Sequence, residues 1–302
     1  MSIEEILRWS SLKHELALET QLFGFPSKRV RNWLHQQLNF IHDPDFARLF
    51  SDNIDRFDVE PSAYNHRLIE TEDGAMLAGI RFYGLDVDRP FVDVIAHEFS
   101  DLYALRKHVK EHWCVFAPQF VRLTAPAHEM PTADAVLDCS IHGARYGQMA
   151  EATEQVSLSQ DADVCALKEM IDVRCERVKR DHPQLRRNTN GADLDDLTSC
   201  HENGDLYVAH VAHQPEPIGM ICIRDSAIGW LQGDEVVEEV IVSSASGHGY
   251  ATHMQKNLAA LRAKQTPERL MIGTIDRYNH ASRKSAERAG RPEIMRRVFL
   301  PL

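Results

Sequence analysis

Two glycines, Gly247 and Gly249, stand in SSASGHGYATHM, between the strand-like run VVEEVIV and the helical run ATHMQKNLAALRA. Glycine lets the backbone take positive φ and lets a ligand approach it closely. The amides of residues 247–251 would then open a helix N-terminus, where unpaired N–H groups and the helix dipole favour an anion such as a phosphate. Three carboxylates, Glu235, Glu238 and Glu239, stand just upstream. A carboxylate beside a bound substrate can act as a general base. Side chains alternate across a sheet, so a regular strand points at most one of Glu238 and Glu239 into a given cleft.

The turn is not a Walker A loop, because no Gly-Lys-[Ser/Thr] follows. It reads G-x-G-x-x-T, near the dinucleotide fingerprint, with Asp276 placed as a ribose-binding acid would be. Only 26 residues follow Asp276, too few for further βαβ units. Glu238 and Glu239 also suit a strand lining a cleft better than one buried on both faces. A plain tight turn is the alternative that two glycines leave open. A second constellation, His108-Val-Lys-Glu111-His112, matches H-x-x-E-H, which on a helix can bring zinc ligands and a glutamate together. With 16 histidines in the chain and no obvious third ligand, it reads as a solvated helix face, and no metal site is expected. His210 and His213 fall on opposite faces of a strand and make a poor pair.

The elements that must position these residues follow from periodicity. The first ~60 residues read as helical, broken at Gly24 to Pro26 and at His42 to Pro44. HRLIE, AMLAGIRFY and PFVDVIA read as strands, DLYALRKHVKEHW as a helix and FVRLTA as a strand. The second half begins with the helices DADVCALKEMIDVRCERVKR and ADLDDL. DLYVAHVA, IGMICIR, SAIGWLQ and VVEEVIV then read as strands. The helix after the glycine turn has an apolar face of Ala251, Met254, Leu258 and Leu261. LMIGTID, ASRKSAERAG and MRRVFLPL read as strand, helix and strand. Residues 65–125 and 203–277 thus share one order of elements, which points to two similar domains with a boundary near 143–155. One mixed sheet without duplication is the alternative.

The 302 residues, 43% hydrophobic and 26% charged, have a globular composition. A net charge of −11 argues against a nucleic-acid partner and suits a cationic substrate such as an amine. No apolar run approaches the ~20 residues needed to cross a bilayer, and MSIEEILRWSS lacks a secretory pattern. Six scattered cysteines read as reduced, mostly buried thiols of a cytoplasmic protein.

Ser246-Gly-His-Gly-Tyr-Ala251 resembles the [Q/R]-x-x-G-x-[G/A] pattern of the GNAT superfamily of acyl-CoA N-acyltransferases. Asn279-His-Ala-Ser282, with Gly290 eleven residues after Asn279, resembles that family's later helix motif. The resemblance covers roughly residues 151–302, and the first half is similar in element order but has no glycine turn. It implies an α/β fold with an α+β mixed sheet and two GNAT-like domains in tandem. These are a degenerate copy with a helical N-terminus at 1–147 and an acetyltransferase domain at 148–302. It further implies acetyl-CoA as co-substrate, held by Ser246, Gly247, His248, Gly249, Tyr250, Ala251, Thr252, Asn279 and Ser282. Amides near Ile241 and Val242 would polarise the thioester carbonyl. Glu235, six residues before Ile241, is where several family members carry the base, with Glu238 and Glu239 as competitors. The implied reaction moves an acetyl group to a primary amine of a small molecule or peptide. The alternative is a non-catalytic acyl-CoA-binding or interaction protein, because three positions depart from the family. Ser246 replaces the usual Arg or Gln, Ser243 a proline, and Ala286 the tyrosine that often serves as general acid. Lys256, Arg283 and Lys284 could meet nucleotide phosphates.

Overall fold

A computed structural model describes every residue except Pro26, Asp55 and His213, so the expectations for Pro26 and His213 lie outside the described residues. The helical start comprises α1 (Ile3–Ile6), α2 (Lys13–Phe23), α3 (Arg29–Asn39) and α4 (Pro44–Ser51). Local chemistry sets their ends: Ser2 and Glu5 form a capping box on α1, Gly24 closes α2 at φ +75°, and Asp43 caps α4 ahead of Pro44. Next come β1 (Arg67–Thr71), β2 (Gly74–Phe82), β3 (Pro90–His97), α5 (Leu102–His112), β4 (Phe120–Pro126), β5 (Val136–Arg145) and β6 (Ser157–Ser159). The remainder is α6 (Val164–Asp181), α7 (Leu194–Glu202), β7 (Leu206–His210), β8 (Gly219–Ile228), β9 (Leu231–Ile241), α8 (Tyr250–Ala263), β10 (Leu270–Asp276), α9 (His280–Arg288) and β11 (Glu293–Pro301).

The chain forms two compact units that are not consecutive stretches. One is Met1–Asp138 with Met295–Leu302, and the other is Cys139–Ile294. The expected division at 147/148 therefore differs from the observed one at both ends. Residues 139–145 of β5 pair antiparallel with β10 in the second unit, while β11 pairs antiparallel with β4 in the first. The expected boundary near 143–155 begins at Gly143, but that glycine sits inside β5. A Cβ there would come within 2.8 Å of Ile294 Cδ1, so the missing side chain makes room for a core contact.

Each unit is a mixed sheet covered on both faces. In the first, β1, β2 and β3 run antiparallel and β3 pairs parallel with β4. One face packs Leu77 and Ala96 against Ile6, Trp9, Leu12 and Leu34. The other packs Met76, Ala78 and Val94 against Leu105, Val109 and Trp113. In the second unit β6 to β9 are antiparallel neighbours and β9 pairs parallel with β10. Leu206, Met220 and Cys222 face Leu167 and Ile171 of α6 and Leu197 of α7, while Tyr207, Ile221 and Ile223 face Met254 and Leu258 of α8.

Three further expectations change. The reading of four strands across DLYVAHVA to VVEEVIV gives three, because β8 runs through Arg224 and Ser226 and turns only at Gly229, at φ +64°. The buried face of α8 centres on Met254, Gln255, Leu258 and Ala259, leaving Leu261 41% exposed. Of the cysteines only Cys200 and Cys222 are buried, and Cys114 and Cys165 are exposed.

Candidate active site

The strand that leads to the glycine turn carries a one-residue irregularity. Glu238 opposes Cys222 and Val236 opposes Ile223, so Val237 is an extra residue on β9. Before the bulge, Asp234 faces α8, where Arg262 Nη2 donates to its Oδ2 at 3.1 Å. Strict alternation would put Glu239, five residues on, on the opposite face. The extra residue restores it to the α8 face, where Gln255 Nε2 donates to Glu239 Oε2 at 2.7 Å. Glu238 faces α6 and α7 instead, its Oε2 accepting from the Ala192 amide at 3.0 Å. Glu235, next to Asp234, points to that same α6–α7 face.

Pairing between β9 and β10 is confined to Gly233↔Leu270, Asp234↔Met271 and Glu235↔Ile272, beyond which the two strands part. A cleft of about 270 Å³ lies toward the C-terminal end of β9. It is lined by Glu239 and Ile241, by the turn from Ala245 through Gly247 and by Gly249 to Thr252 at the start of α8. Ala281, Ser282, Lys284, Ser285 and Arg288 of α9 and Arg174 of α6 complete it.

Gly247 and Gly249 take φ of +88° and +80°, which requires glycine on conformational grounds. A Cβ at Gly247 would meet nothing within 4 Å, and one at Gly249 only His253 Nε2 at 3.9 Å. Both positions therefore open on free space. Among the described residues, none of the amides of residues 247–251 donates to a protein acceptor. The first backbone bonds run from Thr252 and His253 back to the Gly249 carbonyl, at 3.0 and 3.3 Å. Gly249 replaces a side-chain cap on α8, so no carboxylate or hydroxyl competes for these donors. Arg174, Lys284 and Arg288 add positive charge around the cleft.

Burial pushes the Glu239 carboxyl up to about 7, against the opposing pull of Arg291 and Gln255. Burial also raises Glu238, while the amides of Ala192 and Glu239 work the other way. Glu239 is thus a carboxylate that lines the cleft and titrates near neutrality, and neither Glu235 nor Glu238 lines it. The expected preference for Glu235 came from the family resemblance, which places a base six residues before Ile241, whereas the glutamate that lines this cleft is Glu239.

Other residues fall in mixed places. Ser246, Tyr250, Ala251 and Thr252 line the cleft, and Tyr250 also packs on the α8-side core. His248 lies beside Tyr250, ring centroids 5.7 Å apart. Ser282 lines the cleft, whereas Asn279 caps α9, its Oδ1 accepting from the Ser282 amide at 3.2 Å. The Val242 amide donates to Ile218 O at 2.8 Å and is not free for a thioester carbonyl. Successive strand amides point to opposite edges, so that of Ile241 faces away from β8, toward the parted side. Lys284 reaches the cleft, but Arg283 donates to the Arg277 carbonyl and Lys256 lies elsewhere on α8. Arg174 and Arg288 were not foreseen, and their only sequence signal was a basic residue on a helix. His108 is buried, with Nε2 2.8 Å from Asp73 Oδ2, and not the solvated residue expected of H-x-x-E-H.

No family model matches the chain, and no curated protein matches it. Solved structures are similar to it at the level of fold. An acetyltransferase of the GNAT family from Colwellia psychrerythraea is 12% identical, with TM-score 0.46, over 85% of this chain and 96% of the other. A GCN5-related N-acetyltransferase from Sphaerobacter thermophilus is 10% identical, with TM-score 0.46, over 74% and 75%. A tandem GNAT protein from the clavulanic acid biosynthesis pathway is 12% identical, with TM-score 0.42, over 86% and 95%. No helix among the described residues is long and apolar enough to cross a membrane.

Proposed function

We propose that the second unit is an acyl-CoA N-acyltransferase that moves an acyl group, acetyl in the simplest case, to a primary amine. The observation that carries this reading is the run of free amides at residues 247–251, opening into a cleft beside parted strands. A nucleotide pyrophosphate is the anion such a run suits, since it accepts several N–H donors at once. Arg174, Lys284 and Arg288 supply the countercharge for the phosphates. The pantetheine arm then follows the unpaired edge of β9, with the Ile241 amide as donor to the thioester oxygen as it becomes an oxyanion.

In the transfer step the amine nitrogen bonds to the thioester carbon, and the C–S bond breaks with its electron pair leaving on sulfur. Glu239 takes the proton of the attacking amine, and its value near 7 leaves a substantial share ionised at neutral pH. The thiolate then acquires a proton, with no need of a strong acid at a thiol pKa of about 8.5.

The test is release of free CoA thiol from acetyl-CoA across a panel of primary amines, peptides and aminoglycosides. Amine-dependent release supports transfer. Binding of CoA esters without turnover supports the second reading, an acyl-CoA-binding protein, which the buried, inert Ala286 of α9 favours. Failure of any CoA ester to bind overturns both.

A further inference from the structure

Arg291 is a buried cation without a partner. It is 3% exposed, and its Nε and Nη1 donate to nothing. Its position is fixed by the end of α9. Gly290, at φ +87°, lets its own amide donate to Glu287 O at 3.0 Å and the Arg291 amide to Ala286 O at 2.9 Å, the paired closure of a left-handed helix end. His142, kept neutral by burial, holds the Arg291 carbonyl through Nδ1 at 3.1 Å.

This anchoring sends the side chain to the apex of the parted strands. A Cβ on Gly273 would lie 2.8 Å from Arg291 Nη1 and 3.7 Å from Val236 Cβ. Val236 and Gly273 directly follow the last paired residues, Glu235 and Ile272. The guanidinium thus occupies space that any larger residue at 273 would deny it. On α8, Gln255, which donates to Glu239, is 1% exposed and its Oε1 is also unpartnered. Glu239 contributes a field at Arg291 but forms no ion pair with it.

An unpaired buried guanidinium is costly unless a ligand completes it, and its planar fork of N–H donors matches a carboxylate. Resting on the acyl-CoA reading above, we infer that Arg291 selects the acyl group: the preferred donor is a CoA thioester whose acyl chain ends in a carboxylate, such as a succinyl or malonyl group. The carboxylate comes from the donor because the guanidinium sits over Gly273 and beside Val236, where β9 and β10 part and, on the acyl-CoA reading, the donor's arm enters, and it does not line the open cleft.

Calorimetry without amine, using CoA, acetyl-CoA and succinyl-CoA, decides the matter. The expected result is succinyl-CoA bound about ten- to a hundredfold more tightly than acetyl-CoA, the effect of a charge-assisted hydrogen bond. In Arg291→Met the ratio falls to about one, and Arg291→Lys recovers part of it. Gly273→Ala, whose methyl displaces the guanidinium, lowers the ratio as well and serves if Arg291→Met does not fold. Equal affinity of the wild-type chain for the two esters overturns the assignment of Arg291 while leaving the transferase reading intact. Failure of CoA and both esters to bind overturns both.

Discussion

The two units share a pattern of pairing down to the residue, and they differ where the second has its cleft. Asp93↔Arg122 closes the parallel pair of β3 and β4 just as Glu235↔Ile272 closes that of β9 and β10. Ile95 is the extra residue on β3, as Val237 is on β9, so His97 occupies the register position of Glu239. From there the units diverge. Residues 98–101 link β3 to α5, whereas residues 242–249 link β9 to α8. The short link ends in Asp101, whose Oδ1 accepts from the Tyr103 amide at 2.8 Å and sets a carboxylate on the N-terminus of α5. The long link ends in Gly249 and leaves its amides free. One unit has satisfied its helix start internally and repels an anion, and the other holds the donors open. Burial takes His97 down to about 4, so it is neutral where Glu239 is an ionisable base.

The largest effect is expected at that last position. Glu239→Gln should lower turnover by about 10²–10⁴-fold, the usual worth of a general base, with little change in acyl-CoA affinity. The wild-type rate should rise with pH through about 7 as the carboxyl ionises, and the variant should lose that limb. A pH-dependent loss in Glu235→Gln or Glu238→Gln instead would put the base on the α6–α7 face and refute the bulge argument.

A smaller loss, in affinity of about a hundredfold, is expected of Gly249→Val. No atom crowds a Cβ there, so the fold should persist. Valine resists φ near +80°, and the amides would turn from their common direction. Unchanged CoA affinity in the folded variant refutes the cradle. Titration of the wild-type chain should give one CoA per chain, because α5 is capped by its own aspartate. Two equivalent sites would erase the distinction between the units.

The turn and its free amides were legible in the sequence because glycine at positive φ leaves a direct signature in residue type. The repeated order of elements was legible because strand and helix periods survive in each half. Which glutamate faces the cleft was not. A bulge shifts every residue beyond it to the other face, and neither Val237 nor Ile95 looks unusual in a strand. That β5 pairs with β10 and β11 with β4 was equally hidden, since VLDCSIHGAR and MRRVFLPL have the pattern of strands in either sheet. Arg291 had no visible role because its position depends on the helix end at Gly290 and on the absent side chain of Gly273, far apart along the chain.

The smallest expected effect concerns a buried carboxylate of the first unit. Glu15 on α2 is 4% exposed, its Oε2 is unpartnered, and burial pushes it up to about 8, with Arg297 working against the shift. Like that of Glu239, its carboxyl is raised by burial, but Glu15 does not line the cleft, so its signature should be in stability and not in turnover. Between about 4.5 and 8 the folded state binds the extra proton, and stability falls as pH rises through that window. Above 8 both states have lost the proton and the penalty is complete. Glu15→Gln, with the same shape and no charge, should match the wild type at pH 4 and exceed it at pH 9 by about 1–3 kcal/mol. Denaturant melts at the two pH values measure the difference directly. A variant whose advantage is the same at both would show that Glu15 titrates in the folded chain as it does in the unfolded one, its burial offset by Arg297.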